Sequence, residues 1–291
     1  MHSLVNYPFP VHKISIHDGI EIAYMDVGEH KPVLLFVHGL ANYAPVWRFQ
    51  LEELSKHYRC IAIDLPGNGF SSSGKYPYTT FFYAECVRLF AEAMQLQNVV
   101  LVGHSMGGQI GLMLALRYPH LFEQLILIAP AGIENFTQTE QMMMQNLLSF
   151  GDFMYADESH LESTIRDSFE HHGGDSRILI DELKALLKNR SMQEWKSMCL
   201  ASIRGMLSDS MNRFLPQIEA KTLLMFGEKD RMIPNRMLHP HDSPKKIAQL
   251  GAGLIPACEM HLIPNAGHFV QIEKHAEVNE LIRNWVNQSV K

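Results

Sequence analysis

The 291-residue sequence predicts an α/β fold with a mostly parallel, doubly wound sheet and an inserted block of helices. In residues 33–129, short apolar runs alternate with segments of helical spacing, which is typical of a parallel sheet covered by helices on both faces. Residues 133–215 contain no convincing buried strand, and the strand pattern resumes afterwards. We therefore expect a core domain formed by residues 1–132 and 216–291, interrupted by a helical insertion over residues 133–215.

The first strands show two different patterns. Residues 11–18 alternate apolar and polar side chains, Gly19 follows, and residues 20–27 alternate again, which predicts a hairpin of two half-exposed strands. Residues 33–37, which follow Pro32, are apolar without interruption. This is the pattern of a strand that is buried on both faces in a parallel sheet.

Three helices are expected between the buried strands that follow. Thr79 is a suitable N-terminal cap for the second of them, because a threonine hydroxyl can accept a hydrogen bond from a free amide of the first turn. Pro119 ends the third, since proline cannot continue a helix. The expected elements are a helix over residues 47–58, a strand over 60–63, a helix over 79–96, a strand over 99–102, a helix over 109–118 and a strand over 125–129.

The last part of the chain returns to strands. Residues 222–226 and 260–263 are apolar runs that predict two more strands, and residues 270–290 have the spacing of an amphipathic helix. Residues 237–257 contain several glycines and prolines and are expected to form a long loop, with a short helix around residues 245–250.

Methionines are frequent in the expected helical insertion. Methionine is flexible and fills irregular gaps, so these side chains suit either a plain core or the lining of an apolar ligand pocket. The sequence leaves both interpretations open for Met142, Met143, Met144, Met154, Met192, Met198, Met206 and Met211.

The composition excludes several classes of protein. Hydrophobic residues make up 46% of the chain and the net charge is −6, without the clustered basic residues of a nucleic-acid-binding face. No apolar run has the length of a membrane span, and residues 1–10 lack the pattern of a signal peptide, so we expect a cytoplasmic protein. The four cysteines lack metal-ligand spacing and are expected to be reduced. The sequence leaves the oligomeric state open.

Ser105 is the best candidate for a catalytic nucleophile. The apolar run before it ends at Gly103, two more glycines follow at 107 and 108, and a helical segment comes next. A tight strand-to-helix turn strains the serine backbone, which only small neighbours tolerate, and exposes the hydroxyl at the N-terminus of the helix. The pattern therefore predicts acyl-transfer chemistry on Ser105.

A nucleophilic serine needs a base, and the base needs an acid that orients it. Asp230 and His268 each follow a predicted strand, at the edge of the sheet where ligands bind in open α/β folds. Glu228 is an alternative acid, and His261 and His275 are alternative bases. We prefer His268 because the other two histidines fall inside a strand and a helix.

Three further polar residues lie beside the expected site. His38 and His104 are expected to brace loops through hydrogen bonds rather than to take part in the chemistry. Asp64 is expected to fix the turn that follows its strand.

Five motifs occur in a fixed order along the chain: residues 38–40 (HGL), 64–71 (DLPGNGFS), 103–108 (GHSMGG), 227–230 (GEKD) and 265–268 (NAGH). With these motifs the chain resembles the α/β-hydrolase superfamily over nearly its full length. The helical block matches the cap of that family, which follows the strand after the nucleophile helix.

The resemblance implies a role for each candidate residue. Ser105 would be the nucleophile, His268 the general base and acid, and Asp230 the acid that orients the histidine. The backbone N–H groups of Leu40 and Met106 would form the oxyanion hole. The hydrolytic mechanism implied by the resemblance uses no metal and no cofactor.

The serine at position 105 narrows the reaction. Haloalkane dehalogenases and epoxide hydrolases of this superfamily use an aspartate at that position, and proline iminopeptidases usually carry tryptophan where this chain has Met106. We expect a carboxylic-ester hydrolase that acts on small or medium apolar acyl substrates through an acyl-enzyme. The alternatives are thioester or C–C bond hydrolysis, and a hydrolase-like receptor for small molecules with little turnover. The expected partner is a small ester-type substrate.

Overall fold

The computed structural model describes residues 5–17, 19–150, 158–188 and 190–288. Eight strands in these residues form a single sheet. In chain order they are β1 (Val11–His17), β2 (Ile20–Val27), β3 (Val33–Val37), β4 (Arg59–Ile63), β5 (Val99–His104), β6 (Gln124–Ile128), β7 (Lys221–Gly227) and β8 (Cys258–Ile263). Their order across the sheet is β1-β2-β4-β3-β5-β6-β7-β8.

The sheet is antiparallel at one edge and parallel elsewhere. β1 and β2 form the predicted hairpin, and β2 also pairs antiparallel with β4. The other pairs, from β4 through β3, β5, β6 and β7 to β8, are all parallel. The predicted α/β class with a mostly parallel sheet is therefore confirmed. The carboxyl ends of β3, β5, β7 and β8 share one edge of the sheet, where ligands bind in such folds.

Helices connect the strands. In the described residues they are α1 (Arg48–Leu54), α2 (Thr80–Ala93), α3 (Met106–Arg117), α4 (Gln138–Phe150), α5 (Glu158–Asp167), α6 (Gly174–Leu187), α7 (Met192–Ser208), α8 (Pro244–Leu254), α9 (Val270–Glu273) and α10 (His275–Gln288). Short 3-10 turns occupy Ala44–Trp47 and Asn212–Gln217.

The predicted helices of the first half exist, with different bounds. The helix expected over residues 47–58 ends at Leu54, and the helix expected from residue 109 begins at Met106, directly after Ser105. The predicted cap of α2 is confirmed, because the Thr79 hydroxyl accepts a hydrogen bond from Phe82 N at 3.1 Å.

The short helix expected around residues 245–250, within the long loop 237–257, exists and is longer than predicted, since α8 covers Pro244–Leu254 and packs against β7 and β8. Gly251 lies in the part of α8 that was expected to be loop. A Cβ built on it would lie 2.8 Å from the Ile133 side chain and 2.9 Å from that of Leu224. This glycine therefore permits close packing of a helix, whereas the sequence pattern interpreted it as a chain breaker.

The connection between β6 and β7, which we call the β6–β7 connection (residues 129–220), contains the helices α4 to α7. It approaches the rest of the molecule closely at α7, where a Cβ built on Gly205 would lie 2.8 Å from Thr79 Cα. None of the helices in the described ranges combines the length and the apolar character that crossing a membrane requires.

The last helix is interrupted. Lys274 has φ −129° and ψ 40°, outside the helical region, and it separates α9 from α10. Residues 289 and 290, which were included in the predicted helix, lie outside the described residues.

Candidate active site

Ser105 lies at the turn between β5 and α3. Its backbone has φ 54° and ψ −118°, in the positive-φ region that non-glycine residues rarely occupy. Ser105 N donates to Ile128 O at 3.0 Å, and Ser105 O accepts from Ala131 N at 3.0 Å. These bonds hold the strained turn, and Ser105 remains partly exposed at the N-terminus of α3.

The glycines around Ser105 have no space for a side chain. A Cβ built on Gly103 would lie 2.7 Å from Gly108 N, and one on Gly107 would lie 2.7 Å from His38 O. Small residues are therefore needed beside Ser105, as predicted, because the backbone at the end of β3 lies directly against the start of α3.

Asp230 and His268 form a buried pair. His268 Nδ1 lies 2.8 Å from Asp230 Oδ2, and the Asp230 side chain is completely buried. The second oxygen, Asp230 Oδ1, accepts from Met232 N at 2.7 Å and from Ile233 N at 3.1 Å. A carboxylate at Nδ1 favours the tautomer with hydrogen on that atom, which leaves the Nε2 lone pair available.

The alternative acid and bases lie elsewhere. Glu228 is exposed. His261 Nε2 bonds to Glu259 Oε1 at 2.7 Å on β8, and His275 is exposed and stacks on Phe49 with ring centroids 4.4 Å apart. None of the three lines the cavity that contains Ser105 and His268.

Two buried histidines brace the loops of the site, as the sequence predicted. His104 Nε2 bonds to His268 O at 3.0 Å, and burial together with the nearby His268 holds the pKa of His104 well below its ordinary value. His38 Nε2 accepts from Leu65 N at 3.0 Å, and its Nδ1 bonds to Gly39 O at 2.7 Å. Burial lowers the pKa of His38 to about 4. Both rings are neutral and serve as fixed hydrogen-bonding groups.

Asp64 fixes more than its own turn. Its Oδ2 accepts from Phe70 N at 2.8 Å within the turn and from the Tyr7 hydroxyl at 2.5 Å. Its Oδ1 accepts from Ala44 N at 2.7 Å. Burial raises the pKa of Asp64 to about 6 although these donors oppose the shift. The residue joins three segments and takes no place in the wall of the cavity.

Ser105 and His268 line one cavity with a volume of about 190 Å³. Gly39 and Leu40, from the loop after β3, form part of the same wall. The β6–β7 connection contributes mainly apolar side chains, among them Met144, Ile165, Ile203, Met206 and Leu207.

The cavity has few charged groups. Among the described residues that line it, none is lysine or arginine, and its titratable side chains are His104, Glu134 and His268. The cavity therefore suits an uncharged, largely apolar ligand.

Comparison with known proteins identifies the family. A family model described as the alpha/beta hydrolase fold matches residues 32–275. The chain belongs to the α/β-hydrolase family. This membership supports hydrolase activity and confirms the resemblance inferred from the five motifs.

Relatives of this α/β hydrolase act on different substrates. The 2-hydroxy-6-oxo-2,4-heptadienoate hydrolase of Pseudomonas putida is 27% identical over 297 residues, with 97% of this chain and 99% of that protein covered. The pimeloyl-acyl-carrier-protein methyl ester esterase of Nitrosospira multiformis is 29% identical, with 68% of this chain and 77% of that protein covered. Among solved structures, a probable hydrolytic enzyme of Pseudomonas aeruginosa shares the fold, with a TM-score of 0.81, 22% identity, and 96% of this chain and 95% of that chain covered.

One polar cluster of the α/β hydrolase was not predicted from the sequence. Glu134 lines the cavity and accepts from Asn235 N at 2.9 Å. His239 lies between two carboxylates, with Nδ1 2.5 Å from Glu134 Oε1 and Nε2 3.3 Å from Glu140 Oε1. Burial opposes the charged ring, but the two glutamates outweigh it and raise the pKa of His239. No local pattern pairs residues so far apart in the sequence.

The eight methionines of residues 133–215 divide between the two interpretations. Met144 and Met206 line the cavity, whereas Met142 and Met143 are exposed. Met154 lies outside the described residues. The others are buried or half-buried away from the cavity: Met192, Met198 and Met211.

Proposed function

We propose that this α/β hydrolase cleaves carboxylic esters of small or medium apolar acyl groups through an acyl-enzyme intermediate. One observation carries the proposal: a single cavity is lined by Ser105, held at a strained turn, and by His268, whose Nδ1 bonds to Asp230 at 2.8 Å. A serine, a histidine base and a carboxylate that orients it are the groups by which a Ser-His-Asp triad transfers acyl groups.

Ser105 is the nucleophile in this proposal, and His268 transfers its proton. His268 Nε2 takes the proton from Ser105 Oγ as that oxygen attacks the ester carbonyl carbon. When the tetrahedral intermediate collapses, His268 gives the proton to the leaving alcohol and the acyl group stays on Ser105. Water then attacks the acyl-enzyme, with His268 again as base, and the acid is released. Asp230 keeps the imidazole in the required tautomer throughout.

The oxyanion hole in this proposal consists of the backbone N–H groups of Met106 and Leu40. Met106 is the first residue of α3, so its amide has no helical carbonyl to bond. Leu40 lines the cavity beside Ser105. Each donor of such a site typically lowers the barrier by about 3–4 kcal/mol.

The charge of the cavity favours an ester over the C–C substrate of the Pseudomonas putida relative. That substrate is a heptadienoate and therefore carries a carboxylate. A carboxylate taken out of water needs a cationic or hydrogen-bonding partner. The described lining of this cavity offers neither lysine nor arginine, and its polar side chains Asn42, Gln109 and Ser168 already donate to backbone oxygens. A neutral ester with an apolar acyl group needs no such partner.

We also propose that residues 133–215, within the β6–β7 connection, act as a cap that shapes the acyl pocket. Met144, Ile165 and Met206 from three of its helices contribute to the cavity wall. Enlarging the pocket should therefore change which acyl lengths are accepted without changing the chemistry at Ser105.

The proposal is tested with p-nitrophenyl esters from acetyl to decanoyl. Wild type should show turnover with an initial burst of nitrophenol, and Ser105→Ala should lower kcat by at least about 1,000-fold. Ser197→Ala, an exposed serine on α7, is the matched control and should retain wild-type turnover.

Two outcomes contradict the proposal. Absence of both turnover and burst at every chain length would support the receptor interpretation instead. Equal activity of wild type and Ser105→Ala would remove Ser105 from the nucleophilic role.

A further inference from the structure

A turn in the β6–β7 connection, residues 168–171, packs against the loop that carries His268. The backbone amide of His268 donates to Ser168 O at 2.7 Å. The rings of Phe169 and Phe269 stack with centroids 4.8 Å apart, and both side chains are buried. The turn therefore contacts the residues at and directly after His268.

Glu273 on α9 joins the two segments. Its Oε1 accepts from Gly267 N at 2.7 Å, next to His268 in the chain. Its Oε2 accepts from Glu170 N at 2.9 Å and from His171 N at 3.1 Å. One carboxylate thus receives three backbone amides, one from the histidine loop and two from the turn.

The backbone of the turn packs directly against the backbone of the histidine loop at Gly267. A Cβ built on Gly267 would lie 2.6 Å from Ser168 O and 2.7 Å from Glu170 N. Any shift of the turn is therefore transmitted to the backbone of the histidine loop, because backbone atoms cannot move aside as a flexible side chain can.

The same turn also reaches the loop of Asp230. Arg231 Nη2 lies 2.8 Å from Glu170 Oε2. This ion pair is half-exposed and adds little stability, but it places the turn beside both loops that hold the buried Asp230–His268 pair.

We propose that Glu273 is a positioning residue that sets the place of His268 relative to Ser105 by fixing turn 168–171 against the histidine loop. This inference rests on the proposed function, in which His268 transfers the proton of Ser105. The carboxylate acts through Gly267 and the turn and does not touch the reacting atoms.

The test is Glu273→Gln, which keeps the size of the side chain but replaces one accepting oxygen by an NH₂ group. That group would face backbone N–H donors and could not bond to them. We expect kcat per active site to fall about 10- to 100-fold, since small displacements of a catalytic group carry losses of this size, with KM within about twofold of wild type. Glu277→Gln, an exposed glutamate on α10, is the matched control and should leave both constants unchanged.

A second measurement separates positioning from folding. Active sites are counted by burst titration, and the rate at which a fluorophosphonate labels Ser105 is measured well below the unfolding temperature. Slower labelling by the same factor as kcat supports the inference. A lower unfolding temperature with unchanged kcat and unchanged labelling would make Glu273 a purely structural tie and overturn it.

The test also covers two other outcomes: a Glu273→Gln variant that does not fold, and a wild type without ester hydrolysis. If Glu273→Gln does not fold, Phe169→Leu loosens the same turn and should also lower kcat without raising KM, and unchanged kcat in that variant overturns the inference. If wild type hydrolyses no ester, the proposed function fails, while the labelling rates of wild type and Glu273→Gln still decide the role of Glu273.

Discussion

At the residue scale, Ser105 combines backbone strain with firm restraint. A non-glycine residue at φ 54° costs on the order of 1–3 kcal/mol, which the surrounding structure must offset. The bonds to Ile128 and Ala131 and the close packing of Gly107 supply that restraint. The backbone of Ser105, and with it the direction of the Cα–Cβ bond, is therefore set before any substrate arrives.

Asp230→Asn tests the orientation of His268. Asn Oδ1 can replace the oxygen that accepts from Met232 and Ile233, which leaves the NH₂ group facing His268 Nδ1. The ring would then carry its hydrogen on Nε2 and could not accept the serine proton. We expect kcat to fall about 1,000- to 10,000-fold, measured with the preferred p-nitrophenyl ester.

Glu228→Gln is the control for that variant, because this rival carboxylate lies two residues earlier and is exposed. It should keep wild-type kcat. If Glu228→Gln loses activity and Asp230→Asn does not, the roles of the two carboxylates are reversed.

At the scale of elements, His239 ties the loop after β7 to α4. Its two ring nitrogens face Glu134 and Glu140, and its ring stacks on Phe136 with centroids 5.4 Å apart. Asp242 adds a further negative charge close to Glu134. The wall of the cavity that includes Glu134 and Phe136 is thus held by a histidine that is stabilised in its charged form.

The raised pKa of His239 predicts a stability term that depends on pH. The pKa of His239 is higher in the folded than in the unfolded protein, where it is near 6.5. Its charge therefore stabilises the fold fully when the pH is below the unfolded pKa, and this contribution is lost as the pH rises through the folded pKa. Urea unfolding of wild type and His239→Gln should differ by about 1 kcal/mol or less near pH 6, just below the unfolded value of the histidine, and the difference should shrink on the alkaline side. His57→Gln, an exposed histidine, is the control. A difference that grows with pH would contradict the charged pairing.

At the scale of the whole molecule, local patterns predicted the sheet well. The run Val33–Val37 is apolar throughout and is buried throughout, so its strand and its parallel neighbours were visible in the sequence. The turn at Ser105 was equally visible, because its glycines lie next to it in the chain.

Long-range arrangements could not be predicted in this way. Glu134 and His239 meet only because β6 and β7 are neighbours in the sheet, and Glu273 reaches turn 168–171 only through the packed fold. Gly251 contributed to the prediction of a loop, but it lies in α8 and packs against Ile133 and Leu224. In each case the partner that decides the structure is distant in sequence.

The charge of the cavity predicts a preference among substrates of equal length. We expect p-nitrophenyl hexanoate to exceed the p-nitrophenyl monoester of adipic acid in kcat/KM by at least about tenfold, because the terminal carboxylate would lose water without gaining a cationic partner. Glu134→Gln removes the acidic side chain of the described lining. It should therefore reduce the ratio of kcat/KM between the hexanoate and the adipic monoester. An equal or higher kcat/KM for the adipic monoester in wild type would contradict an uncharged acyl pocket.

The position of the candidate residues along the chain has a consequence for biosynthesis. Ser105 follows β5 in the middle of the sheet, whereas His268 follows β8 at its edge and near the end of the sequence. A chain leaving the ribosome from its N-terminus completes the serine turn long before the histidine exists. In the proposed mechanism the serine has no base during that interval, so we expect a nascent or truncated chain to be inert until the last strand has joined the sheet.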